Sequence, residues 1–351
     1  MFDFKTIFGY RFFIKGDAIP LSAQWQQNIA QSEYIPLPKN SIEGYGFAPL
    51  AIPNYPELSY VVQNRWVVAK FIHTYRDISA KHVKARMKVE LNKYLKAHGV
   101  PMPNKEKKNL QDDVRAELAK TAPIVEDDYT LIIDLQKCLM LWSTGKPNLC
   151  ESGNTLARGE LNIQFAPGLF DTDESTIQRT LTSLIKHRDD TLELGYSCAL
   201  VGPDKERVRV TGAELSGQAQ VKELVNHEGY DATEVDLSLI DKDVLPTYSD
   251  AVTFIFNTGQ QIKKLTVYND GQIVERANFD EDSLHSIVST LMSAFEPVYT
   301  ALSNTLAKHQ LEERTAEGGH ETEESDFSEP ELDWAGNEDI SVDAIRTKPH
   351  H

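Results

Sequence analysis

The stretch Tyr129–Trp142, YTLIIDLQKCLMLW, decides the fold class of this chain. It contains two runs of β-forming residues, Tyr129–Asp134 and Cys138–Trp142, with only Leu135-Gln136-Lys137 between them. Two such runs joined by a short connection are typical of a β-hairpin. The sequence therefore predicts an antiparallel pair of strands, around which the other elements are arranged.

The strands and helices predicted on both sides of the hairpin follow one another irregularly. Extended segments are predicted at Phe4–Phe13, Arg65–Ile72, Leu161–Ala166, Tyr196–Val201, Arg207–Thr211, Thr253–Asn257 and Ile262–Tyr268. Short helices are predicted around Ser22–Ala30, Thr176–Lys186 and Gly217–Asn226. The Pro/Gly-rich stretch Pro36–Pro56 predicts loops and turns. Because regular β-α-β-α alternation is lacking, the expected fold class is α+β with mixed or antiparallel sheets.

A pair of charged helices is predicted on the N-terminal side of the hairpin. The first covers Ser79–His98, and Gly99 and Pro101 end it. At about 100° per residue, its apolar side chains share one side and a row of mostly lysines lies beside them. The apolar set is Val83, Met87, Leu91, Tyr94 and Leu95, and the row is Lys81, Lys84, Lys88, Asn92 and Lys96. A polar connection, Asn104–Lys108, leads to the second helix at Asn109–Lys120.

The last ordered element is predicted to be a long apolar helix, Ser283–Leu311, in which Pro297 either introduces a kink or begins a second helix. Its apolar residues recur at spacings of three and four. They are Leu284, Ile287, Val288, Leu291, Phe295, Val298, Leu302 and Leu306. A face of this length serves either the core of the subunit or a partner subunit.

The formal net charge of −17 is unevenly distributed along the 351 residues. The segment from Glu312 to the end carries 13 Asp/Glu against three basic residues, and therefore −10 of the total. Residues 1–311 keep −7, and within them Arg65–Lys120 has 14 Lys/Arg against 6 Asp/Glu, a local charge of +8. An acidic protein repels phosphate as a whole, but such a basic surface attracts it locally.

The acidic segment beyond Leu311 has the composition of a disordered tail, being poor in apolar residues. Phe327 and Trp334 lie among its carboxylates, which suits a docking motif or a DNA-mimicking strand, with an inert solubilising tail as the alternative. No stretch of the sequence approaches the roughly 20 apolar residues of a membrane span. We therefore expect a cytoplasmic protein that does not contact membranes.

No motif of a catalytic or cofactor-binding site stands out. The sequence lacks G-x-x-x-x-G-K-[ST], G-x-G-x-x-G and H-E-x-x-H. Cys138, Cys150 and Cys198 lack C-x-x-C spacing, which favours buried free thiols. The E-x-K run Glu106-Lys107-Lys108 falls in a predicted polar connection, so a solvated charge run is favoured over a nuclease site. We expect no enzymatic activity, metal or cofactor.

Several segments together carry a family resemblance, although none is diagnostic alone. They are Phe2-Asp3-Phe4-Lys5 with Tyr10-Arg11, Gly44–Pro49, Val83–Lys96, Lys107–Leu110, Asp113-Val114, Ile132-Ile133-Asp134, Arg209–Leu215, Phe254–Tyr268 and the final apolar helix. In their order and spacing the chain resembles the recombination-associated RdgC proteins, from its first residues to about Leu311.

The resemblance implies a horseshoe-shaped α+β subunit that pairs at both ends into a ring-shaped homodimer, with duplex DNA threading a positively charged central hole. Such proteins bind DNA without sequence preference, at the nucleoid, and restrain RecA-mediated recombination or exonuclease access. On charge alone, the expected phosphate contacts here are Lys81, Lys84, Lys88, Lys96, Lys105, Lys107 and Lys108. The expected dimer-interface residues are Pro123, Leu291, Phe295, Val298 and Leu302.

Two places depart from the family pattern. Pro123 stands where members can carry an aromatic residue that plugs a pocket on the partner, and Thr121 replaces a basic residue. Gly212-Ala213 replaces a basic pair, which predicts that this loop has lost a DNA contact.

The expected organisation has four parts. They are an N-terminal part at 1–75, a basic helical arm at 76–125, an α+β body at 126–311 and an acidic tail at 312–351. The alternative function is a protein-interaction inhibitor of a DNA-processing enzyme, which acts through the acidic tail or the outer surface.

Overall fold

The structure is a computed structural model that describes residues 6–14, 36–38, 41–50, 60–63, 66–166, 168–212, 214–239, 251–269, 272–273 and 284–317. Contacts within the chain divide it into two compact units, Met1–Gln310 and Leu311–His351. The helix predicted at Ser22–Ala30 lies outside the described residues.

The described elements are strands and helices in an irregular order. The strands are β1 (Thr6–Ile14), β2 (Glu43–Ala48), β3 (Tyr60–Gln63), β4 (Trp66–Arg76), β5 (Ile124–Asp134), β6 (Leu139–Trp142), β7 (Ile163–Phe165), β8 (Leu192–Val201), β9 (Arg207–Thr211), β10 (Asp231–Leu239), β11 (Ala251–Asn257), β12 (Gln261–Asn269) and β13 (Gln272–Ile273). The α-helices are α1 (Ala80–His98), α2 (Asn104–Ala119), α3 (Pro147–Leu161), α4 (Glu174–Lys186), α5 (Ala219–His227) and α6 (Leu284–Glu317), with a 3₁₀ turn at Leu215–Gly217.

The strands form one sheet, and every pairing among the described strands is antiparallel. The order is β2-β4-β5-β6-β1-β12-β11-β10-β8-β9, with β3 also on β4, β7 on β1 and β13 on β12. This arrangement confirms the α+β class and the antiparallel pairing.

The predicted hairpin is confirmed as β5 and β6. Leu131 lies opposite Trp142, and Asp134 lies opposite Leu139. The Asp134 carboxylate accepts hydrogen bonds from the backbone N–H groups of Gln136 and Lys137, each at 3.0 Å, and so fixes the turn. A short polar side chain at the end of a strand is suited to this task because it reaches the backbone two and three residues ahead.

Two hydrophobic clusters stabilise the sheet. In the larger cluster, helices α4, α5 and α6 cover strands β8 to β12, with Leu181, Val221, Phe254 and Val298 among the buried side chains. The smaller cluster packs α3 over β4, β5 and β6. Its buried residues include Phe71, Trp142, Ala157 and Leu161.

Helix α6 is placed by its apolar face in the core of its own subunit. Phe295, Val298 and Leu302 are buried there, and Leu291 packs against them at the edge. These four residues, which were predicted as dimer contacts, pack within their own subunit, which is the first of the two roles open to the pattern. The helix continues through Pro297 without starting a second one.

Several sequence expectations need correction. Helix α3 and strand β10 were not expected, and the region expected to form only loops contains β2. The predicted connection Asn104–Lys108 is instead the first turn of α2, where Glu106 complements the positive helix end. The predicted Leu161–Ala166 strand shortens to β7, because Leu161 still belongs to α3.

Because α3 approaches Trp142 closely, two glycine-to-alanine substitutions in this helix should have opposite effects on stability. A Cβ added at Gly153 would overlap the Trp142 ring, whereas a Cβ at Gly159 meets nothing within 4 Å. We expect Gly153→Ala to lower the free energy of unfolding by about 1–3 kcal/mol through overpacking. Gly159→Ala, in the same helix, should raise it by about 0.5–1 kcal/mol because alanine has the higher helix propensity. Urea unfolding followed by circular dichroism measures both, and equal effects would contradict the packing described.

Candidate nucleic-acid interface

Helices α1 and α2 form a hairpin, here called the basic arm (residues 80–119). The two helices pack chiefly against each other. Their buried side chains are Val83 in α1, and Val114 and Ala119 in α2. Gly99 ends α1 in the left-handed conformation, with φ of 70°, and its N–H donates to the Leu95 carbonyl at 2.8 Å. So small a core leaves most of the arm's side chains in contact with solvent.

The seven lysines expected to contact phosphate all lie on this arm. Six are exposed and Lys107 is half-buried. Lys81, Lys84 and Lys88 follow one another at spacings of three and four on α1, and therefore share one side of the helix. Lys105 and Lys108 lie in the first turns of α2, and not in a connection.

Two of the five carboxylates of α1 and α2, those of Glu90 and Glu117, are engaged by Arg86 and Lys93. The Glu90 carboxylate accepts from Lys93 Nζ at 2.9 Å and lies 3.8 Å from Arg86 Nε. Arg86 also reaches Glu117 at 3.3 Å. The hydrogen bond from Lys93 is the main reason why the pKa of Glu90 is lowered.

The seven phosphate-contact lysines themselves form no ion pair with any residue that the structure describes. Residues 80–119 hold ten Lys/Arg against five Asp/Glu, so the arm keeps an excess of positive charge in addition to these lysines that lack a described ion-pair partner. This arrangement is suited to attracting an anionic ligand.

Between the two helices lies a shallow groove, here called the arm groove. It is lined by Val83, Lys84, Met87, Lys88, Leu91, Asn92 and Gln111. Its floor is apolar and one rim is basic. The groove continues towards Leu95, which the sequence had placed on the apolar face but which is 46% exposed. At about 120° from Val83 on the helical wheel, Leu95 lies at the border of that face.

Four large apolar side chains on and beside the arm were not singled out as candidates for subunit contact. Val89, Leu95, Val100 and Ile124 are each exposed by roughly half. Pro123, which was singled out, is also exposed, and its carbonyl accepts from the Asp77 N–H at 3.0 Å. The sequence signal for Val89 was available, because it lies about 120° from Val83 on the wheel, on the side away from Leu95 and outside the predicted apolar face.

The sheet offers a different kind of basic surface, in which the cations are paired. Glu234 on β10 accepts from Arg209 on β9 at 3.0 Å and from Lys263 on β12 at 2.7 Å. Gly212 follows β9 with φ of 105°. Ala213, the second residue of the Gly212-Ala213 dipeptide that replaces the family's basic pair, lies outside the described residues. Arg209 and Lys263 are thus paired with an acid, in contrast to the seven phosphate-contact lysines of the arm.

The described residues include possible metal ligands and three cysteines. No group of three or more His, Cys, Asp or Glu side chains is arranged there to hold a metal ion. Burial raises the pKa of the Cys150 thiol to about 12 and that of Cys198 to about 11. Both are buried free cysteines, as the spacing predicted, whereas Cys138 is half-buried.

A comparison with protein families shows to which family the chain belongs. A family model described as "Putative exonuclease, RdgC" matches residues 1–308. The chain belongs to the RdgC family. As an RdgC-family member it is a recombination-related protein associated with nucleic acid. The match includes the whole basic arm and ends before the acidic tail. A comparison with curated proteins finds no match.

The long helices were also compared with the requirements of a membrane span. Among the described residues of this RdgC-family chain, no helix is both long and apolar enough to cross a bilayer.

Proposed function

We propose that this RdgC-family chain is a duplex DNA-binding protein without sequence preference, which encircles DNA as a homodimeric ring and restrains RecA-mediated recombination or exonuclease access. The observation that carries the proposal is the lysine row of the basic arm, which forms no ion pair with a described residue, in a chain whose net charge is −17. The proposed phosphate contacts are Lys81, Lys84, Lys88, Lys96, Lys105, Lys107 and Lys108.

The type of cation supports binding without sequence preference. A lysine ammonium acts on phosphate as a point charge, whereas base recognition in the major groove relies on bidentate side chains such as arginine. Arg86, on the same helix as the lysine row, is held by Glu90 and Glu117. Contacts of this kind fix the position of a duplex through its backbone and carry little sequence information.

A ring accounts for how an acidic chain can hold DNA. Two arms brought together would enclose a basic space, in which the attraction is focused, while the rest of each subunit keeps its negative charge. The half-exposed Val89, Leu95, Val100 and Ile124 are suitable for the contact between subunits, together with Pro123. An encircling protein blocks other proteins sterically, and therefore needs no chemistry of its own.

The first test is a titration of labelled duplex DNA at about 50 and 200 mM salt. We expect binding that weakens steeply with salt, and each phosphate contact contributes about −0.9 to the log–log slope. The variant Lys81/Lys84/Lys88→Glu should bind far more weakly and with a shallower slope. The matched control is Lys186/Lys205/Lys222→Glu, which alters net charge equally at exposed lysines outside the arm. Parallel mass measurement should give twice 39.5 kDa. Absent binding at low salt, or equal losses in both variants, would overturn the proposal.

The second candidate is a protein-interaction inhibitor that acts through the acidic tail, favoured by Phe327 and Trp334 among its carboxylates. A chain ending at Glu317 keeps α6 whole and separates the two candidates. If DNA binding is the function, inhibition of RecA-promoted strand exchange should survive the truncation or improve, because negative charge has been removed. Loss of inhibition with DNA affinity intact would favour the tail.

An exonuclease is the third candidate, and the description of the matching family model favours it. End-labelled duplex and single-stranded DNA incubated with the full chain and Mg²⁺ or Mn²⁺ tests this activity directly. We expect the DNA to stay intact. Progressive shortening that EDTA abolishes would replace steric blockade with metal-assisted hydrolysis.

A further inference from the structure

We infer that the arm groove is a docking site for an acidic amphipathic peptide segment of a partner protein, in competition with DNA for the same lysines. The docking site itself does not depend on the proposed DNA function, since it is argued from the floor and the rim of the groove.

The floor of the groove provides the apolar half of the site. Val83 is buried, whereas Met87 and Leu91 are only half-buried although they lie next to it along α1. They remain accessible because α1 packs chiefly against α2, which contributes Gln111 to the opposite wall. Leu95, one turn further along, extends this line at the surface. A helical ligand that places apolar residues at three- and four-residue spacings could cover all three accessible side chains.

The rim provides the charge. Lys84 and Lys88 line the groove, and neither forms an ion pair with a described residue. Lys81 lies on the same side one turn before Lys84. The complement of an apolar floor with a basic rim is a segment that carries apolar residues on one side and carboxylates beside them. Charge complementarity therefore selects an acidic partner over a neutral or basic one.

Duplex DNA alone does not account for the groove. Phosphate needs only the lysines, because a nucleic-acid backbone has no apolar side chains with which to cover Met87 and Leu91. A methionine in such a place adapts its shape to different apolar ligands. The floor thus indicates a protein ligand, while the rim serves either ligand. Because Lys84 and Lys88 belong to both sites, occupation by one ligand excludes the other.

The proposal is tested with the full chain and a defined probe. The probe is a fluorescein-labelled helical peptide of about 18 residues built from Glu, Ala and Leu, long enough to form a helix. Its leucines stand at three- and four-residue spacings, and a control peptide of identical composition distributes them around the helix. We expect fluorescence anisotropy to show salt-sensitive binding of the patterned peptide, at least about tenfold tighter than that of the control. Duplex DNA should displace it.

Three variants separate the peptide site from the DNA site. Met87→Ser should weaken the peptide by about tenfold or more and leave DNA affinity unchanged. Lys105/Lys108→Glu, outside the groove, should weaken DNA and spare the peptide. Lys84/Lys88→Glu should weaken both. Circular dichroism checks that each variant folds, and Leu95→Ser, at an exposed position, provides a second apolar test if Met87→Ser does not fold.

Several outcomes would overturn the docking site. Equal affinity for the two peptides would show that binding depends on charge alone and not on the spacing of the leucines. Indifference of the peptide to Met87→Ser and Leu95→Ser would place it elsewhere. A change in dimer mass on Met87→Ser, with no peptide binding to the wild type, would assign the groove to a second copy of the chain. If neither the wild type nor any variant bound DNA, while the patterned peptide still bound more tightly than the control, the proposed function would be wrong. The docking site would still be supported.

Discussion

The backbone hydrogen bonds of strand β1 hold the two halves of the sheet together. On one side, Phe8 to Arg11 pair with β6, and on the other, Thr6 to Phe8 pair with β12. Among the described residues, Thr6, Ile7 and Phe8 are the ones in register with β12. The Gln260 side chain reinforces this joint, since it accepts from the Phe170 N–H at 2.7 Å and donates to the Thr172 carbonyl at 3.0 Å. Both hydrophobic clusters depend on this joint.

The arm differs from the body in how its charges are satisfied. In the body, Glu234 lies between Arg209 and Lys263 and pairs with both. In the arm, Arg86 and Lys93 pair with Glu90 and Glu117, and the lysine row forms no ion pair with a described residue. Net charge therefore says little about ligand preference in this chain. The local excess of cations over partners is the relevant quantity, and the family relationship gives it a nucleic-acid context.

The sequence predicted those elements whose pattern is set by a single strong periodicity. The arm helix α1, the β5–β6 hairpin and α6 belong to this group. Helix α3 was missed because its sequence, PNLCESGNTLARGEL, mixes glycine, asparagine and threonine, and its stability comes from burial of Leu149, Ala157 and Leu161 against Trp142. Tertiary packing overrides weak helix propensity there. The lysines of the site could be predicted from charge alone. Which cations pair with Glu90 and Glu117 could not, because that depends on how α1 and α2 pack together.

The pairing of β1 with β12 has a consequence for how the chain is made. During synthesis, β6 follows β1 by about 130 residues and can then pair with it, whereas β12 follows more than 100 residues later still. At elongation rates of about 5–20 residues per second, the open edge of β1 waits on the order of ten seconds for its second neighbour. An unpaired strand edge is a site of misassembly during that interval. The nascent N-terminal half is therefore the part of this protein that a chaperone has most reason to shield.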